Sequence, residues 1–207
     1  MRFQNSLIIF TTIVLFGAHS KSLAQESTDR NLPSDVVAAL EVLEDSADRF
    51  RNVVGGIRAV DWQFRSKDFR HSIAEEAEHA ALAHQSLQSM VRRSVGRDPN
   101  PERARELVGK KDLIKREMLH GPMRPENYQP KGTLLSKAEV LEYFESAHAK
   151  AVRLLKVSQN LKVHVYKHPS PTYGELTALQ WFYYIAYHTG RHTQMIQLMT
   201  ELPEFHE

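Results

Sequence analysis

The sequence predicts an all-α fold, a four-helix bundle with a long connection between its second and third helices. Three observations carry this prediction. The capping-box pattern S/T-x-x-E, in which a hydroxyl and a glutamate reciprocally satisfy free amides at a helix start, pairs Ser72 with Glu75, Ser136 with Glu139 and Thr172 with Glu175. Apolar residues recur at spacings of three and four, the period of a helix. Strand-like alternation is met only briefly, at Leu161, Val163 and Val165, in a segment that then runs into Pro169 and Pro171 and reads as a loop, locally extended.

The elements follow in order. The first helix starts at Ser34, just after Pro33 and with Asp35 in its first turn. It carries Val36, Leu40, Leu43, Ala47 and Phe50 on one face, and Gly55 and Gly56 end it near Val54. The second runs from Ser72 to about Ser94, ahead of Gly96 and Pro99. The connection over 97–135 opens with a charged, helix-prone half, residues 102–119. It closes with HGPMRPENYQPKG, a loop by its prolines and glycines. The third helix runs from Ser136 to about Ser158, with Leu141, Phe144, Ala151 and Leu155 on one side. The fourth runs from Thr172 to Leu202, where Pro203 stops it. Four amphipathic helices with one long crossover make a bundle.

The N-terminal segment stands apart from this domain. Arg2 precedes an apolar run over residues 7–18, and Ser22-Leu23-Ala24 follows as a small-x-small cleavage signature. The expectation is a secretory signal peptide over residues 1–24, a short linker over 25–33 and the bundle domain over 34–205. The apolar run is shorter than the roughly 20 residues a membrane span needs, so no stable anchor is expected after cleavage. The expected location is periplasmic or secreted. Arg2 and Lys21 account for the whole excess of 27 basic over 25 acidic residues. The processed chain then has no surplus positive charge to neutralise a phosphate backbone, and nucleic acid is not expected as a partner. The chain has no cysteine, which excludes disulfides, thiolate metal sites and cysteine nucleophiles.

Candidate chemistry lies in the histidines, 11 in all. His188 and His192 stand four apart on the last predicted helix, roughly 40° apart around its axis and about 6 Å along it. They interrupt an otherwise apolar stripe, Trp181, Ile185, Ile196 and Met199, so both imidazoles are expected to point into the bundle. A divalent cation would satisfy two buried imidazole nitrogens at once. His164 and His168 share the spacing but sit beside prolines, where the helical geometry fails. A third ligand from the second helix is His79 or His84. Measured from Ile73 at the middle of the apolar stripe, His84 lies about 20° away and His79 about 120°, so periodicity alone prefers His84. Glu76, roughly 60° from His79, is an acceptor for an imidazole N–H or, the preferred reading, a solvated charge.

Two stretches together resemble the DinB-like superfamily. Its second-helix motif, W-S-I-x-E-x-x-x-H, is matched by Ser72, Ile73, Glu75 and His79. The last-helix motif, a tryptophan and then H-x-x-R-H-x-x-Q-I, is matched by Trp181, His188, Arg191, His192 and Ile196. His71 replaces the first motif's tryptophan, and Met195 takes the glutamine's place beside Gln194. The resemblance runs from about Ser34 to Phe205. It implies that His79, His188 and His192, and not His84, bind a divalent cation inside the bundle.

It also implies chemistry. Three imidazoles leave a coordination position open, as in catalytic sites, and members of the family look like metal-dependent thiol transferases, isomerases or hydrolases acting on small molecules. An exported location disfavours free thiolates and so favours hydrolysis of these activities. Zinc or nickel is the expected metal; copper and iron also suit three imidazoles. A non-catalytic metal-binding protein and a helical interaction module are the alternatives. Tyr184 is read as a bundle residue with a wet hydroxyl and His148 as a core histidine. Arg191 is read as a surface or dimer contact, which allows a homodimer.

Overall fold

A computed structural model of the chain describes residues 32–121, 130–134 and 136–205. The segment 1–24 expected to be a signal peptide, most of the expected 25–33 linker and, of the expected loop, residues 122–129 lie outside the described residues. Six helices and one small sheet make up the rest: α1 (Ser34–Gly56), α2 (Ile73–Val95), α3 (Pro101–Glu106), α4 (Lys110–His120), α5 (Lys137–Val157), β1 (Val165–Lys167), β2 (Glu175–Thr177) and α6 (Ala178–Thr200).

The capping boxes at Ser72 and Ser136 form as expected, each hydroxyl accepting the amide of the glutamate three residues on. The third does not. α6 starts later, with Thr177 accepting from the amide of Gln180 and Gln180 returning the bond. Two features hold Thr172 and Glu175 out of the helix. Gly174 turns the chain with φ +61°, a conformation that costs glycine little. Glu175 then pairs with Lys167 in the antiparallel β1–β2 ladder. Ser34 is the first residue of α1 and not its cap, a position taken by Pro33. The charged half of the connection is helical, but in two pieces, because Gly109 at φ +87° breaks α3 from α4.

The four long helices pack as a ring of neighbours in the order α1, α6, α2, α5, while α5 barely meets α6. Leu43 and Phe50 of α1, Ile73 and Ala77 of α2, Val140 and Phe144 of α5, and Ile196 and Met199 of α6 are all fully buried. Phe50 and Phe144 close the α1–α5 seam with ring centres 4.2 Å apart. Each such side chain contributes about 2 kcal/mol by its removal from water. α2 is rich in alanine where it faces its neighbours: Ala77, Ala80, Ala81 and Ala83 have no exposed surface. Small side chains let α6 approach α2 closely, and that approach brings histidines of the two helices together. α4 covers a further flank of α6. Among the described residues no helix is long and apolar enough to cross a membrane.

Candidate metal centre

The stripe on α6 faces inward as its spacing predicts. Trp181, Ile185, Ile196 and Met199 are fully buried, and His188 and His192 are 1% and 2% exposed. Across from them stands His79 on α2, also 2% exposed. One potential ligand atom from each of the three imidazoles lies within 4.8 Å of the others. Ring centres are 5.4 Å apart for His79 and His188, 4.3 Å for His79 and His192, and 4.6 Å for His188 and His192.

Glu76 sets the orientation of this cluster. It is buried, not solvated, at 2% exposure. Its Oε2 accepts from His192 Nδ1 at 2.6 Å and its Oε1 meets His71 Nδ1 at 3.1 Å. Burial pushes the Glu76 carboxyl up, but the His192 hydrogen bond and the neighbouring His192, His71 and His79 rings hold it below the usual carboxylate range. An ionised carboxylate on His192 Nδ1 fixes the tautomer in which Nε2 carries the lone pair. This is the carboxylate–imidazole pairing that orients histidines around metals and raises their basicity. The donor set therefore fits a divalent cation: imidazoles, closely grouped and buried, with a carboxylate aligning one of them.

His84 does not join the cluster. It is fully buried, and its Nδ1 lies 3.0 Å from Thr189 Oγ1. Its ring packs against Phe144 and His148 of α5, at 4.8 and 5.6 Å between centres. The reason is geometric. α2 touches both α6 and α5, so the centre of its apolar stripe points between the two. His84 lies near that centre and meets both, bonding Thr189 of α6 while its ring packs on α5; His79, on the flank, meets His188 and His192 of α6. His148 is a buried histidine whose Nε2 lies 2.9 Å from Glu44 Oε2.

Arg191 is not a surface residue. It is 5% exposed, and its guanidinium donates to the carbonyls of Glu117, Met118 and Gly121 at the end of α4. Glu78, beside His79, is likewise buried, and its carboxylate accepts the amides of Gly132, Thr133 and Leu134. Sequence reasoning passed over Glu78, because a glutamate among glutamates carries no pattern of its own. His168 and His164 do not form a pair. His164 bonds the carbonyl of Arg97, while His168 stacks on Trp181 at 4.9 Å and packs on Tyr173 and Tyr184. Tyr184 in turn lies 6.1 Å from His188, so an aromatic cluster flanks the histidines on the α6 side.

No curated protein and no solved structure matches the chain. The sequence model of the DinB superfamily matches residues 42–196, a span that begins in α1 and ends in α6 and contains His79, His188 and His192. With most of the chain inside that match, and with its helices and buried histidines as described, this protein belongs to the DinB superfamily.

Proposed function

We propose that His79, His188 and His192 hold one divalent cation, and that the protein is an exported metal-dependent enzyme acting on a small molecule. One observation carries the reading: three buried imidazoles from two helices group their ligand atoms within 4.8 Å. When bound, such a cation supplies Lewis acidity toward water or a substrate heteroatom. The chain's own residues do the rest. Glu76 keeps His192 in the ligating tautomer, and the surrounding apolar side chains of α2 and α6 exclude bulk water, which strengthens every charge interaction inside.

Hydrolysis is the favoured reaction and thiol transfer the second, with zinc or nickel as the favoured metal. The segment 1–24 supports export by its composition. Elemental analysis of the purified protein, followed by assays of model ester and thiol substrates, tests the reading. Metal bound at the triad and turnover are expected in the wild type; His192→Ala is expected to lose one equivalent of metal and all turnover, and His164→Ala to lose neither. Metal with no turnover across those substrates would make it a non-catalytic binder. Absence of metal from a protein refilled with zinc or nickel would reduce the histidines to core residues. N-terminal sequencing of the exported protein is expected to start at Gln25.

A further inference from the structure

A second group of polar side chains lies between α2 and α5, outside the triad. It comprises His84 and Gln88, both with no exposed surface, and His148, 4% exposed. Their hydrogen bonds fix what each presents. Thr189 Oγ1 donates to the carbonyl of Ile185, so His84 Nδ1 must donate to Thr189, leaving a lone pair on His84 Nε2. His148 Nε2 donates to Glu44, so in the neutral ring the lone pair sits on His148 Nδ1. Gln88 Nε2 donates to the carbonyls of His84 and Ala147, so its amide cannot flip and Oε1 is an acceptor. His84 Nε2, His148 Nδ1 and Gln88 Oε1 are all buried, and none finds a hydrogen-bond partner among the described residues.

Three buried acceptors and no donor is an arrangement that folding alone does not favour. A water molecule has two protons for three lone pairs; a cation takes all three. Two further features favour the cation. Both imidazoles have their outer N–H anchored, one on a carboxylate and one on a hydroxyl, as metal-bound histidines do. Their ring centres are 5.6 Å apart. A ring centre stands about 3.2 Å from a metal bound through its nitrogen, so two rings sharing one cation at tetrahedral to trigonal angles sit roughly 5.2–5.6 Å apart.

We infer that His84, Gln88 and His148 form a second cation site between α2 and α5, for a divalent transition metal that accepts imidazole nitrogen and an amide oxygen. Glu44, on α1, supplies compensating charge through His148. The site is independent of the triad, and its failure would leave the triad untouched.

The test is metal stoichiometry on the full chain, stripped with chelator and dialysed against micromolar zinc. The wild type is expected to hold two equivalents, a His79→Ala, His188→Ala variant one, and the same variant with His148→Gln none. If the variant without the triad holds none while the wild type holds one, the second site is overturned and the triad stands. Retention of the remaining equivalent after His148→Gln also overturns it, because the cation then lies elsewhere. A second measurement is the electron paramagnetic resonance of the copper(II)-loaded protein: the wild type is expected to show a nitrogen-ligated signal that His148→Gln removes, and a spectrum unchanged by His148→Gln overturns the proposal.

Discussion

His168 sits against Trp181, Tyr173 and Tyr184, and burial pushes its pKa down to about 4. The sign of the consequence follows from linkage. An unfolded histidine takes up its proton as pH falls below about 6.5, whereas the folded His168 stays neutral until about 4. The folded state therefore loses stability as pH falls through that window. His168→Gln is expected to lower the melting temperature at neutral pH, through lost stacking, but to flatten its decline toward pH 4.5. Thermal unfolding of the metal-stripped proteins across that range checks this, and parallel curves would refute it. At this scale the sequence was only half readable. The spacing of His188 and His192 announced their burial, because the residues around them on the stripe are apolar. Glu76 read as solvated because a carboxylate on a helix usually is; its bond to His192 spans 116 positions and leaves no local signature.

Helix ends carry the next level of information. The last carbonyls of a helix need donors from outside it, and Arg191 of α6 reaches across to those of Glu117, which also accepts the Gly121 amide, and Met118. Arg191→Met keeps most of the packing and removes the donors. A loss of about 2 kcal/mol is expected, with faster amide exchange concentrated in α4, measurable by hydrogen exchange and denaturant unfolding. Unchanged exchange in α4 would show that the contact contributes little. The same level shows where local patterns mislead. Thr172 and Glu175 satisfy the capping-box pattern, yet pairing between β1 and β2 claims Glu175 and moves the start of α6 to Ala178. Ser72 and Ser136 face no such competitor, and their caps form where the pattern puts them.

In the whole molecule, periodicity revealed the helices but not their neighbours. Knowing that α2 touches α6 on one side and α5 on the other explains why His79 and His84 serve different sites, and that order is set by tertiary packing. It also makes metal and stability one quantity. A cation that binds only the folded chain stabilises it by about 2.7 kcal/mol at a hundredfold excess over its dissociation constant. Zinc is expected to raise the melting temperature of the stripped wild type by several degrees, and chelator to reverse this. In His188→Ala the rise should shrink; an equal rise would mean that the stabilising ion binds away from α6.

The position of the three imidazoles along the chain has one more consequence. His79 is made first, and His188 follows 109 residues later, with His192 just after it. The triad cannot be completed until His192 has been made and has left the ribosome, so no cation can be held by all three imidazoles before then. Under the proposed export, a chain that crosses a membrane before folding would draw its ion from the medium it arrives in, and local supply there, as much as ligand chemistry, would select the element.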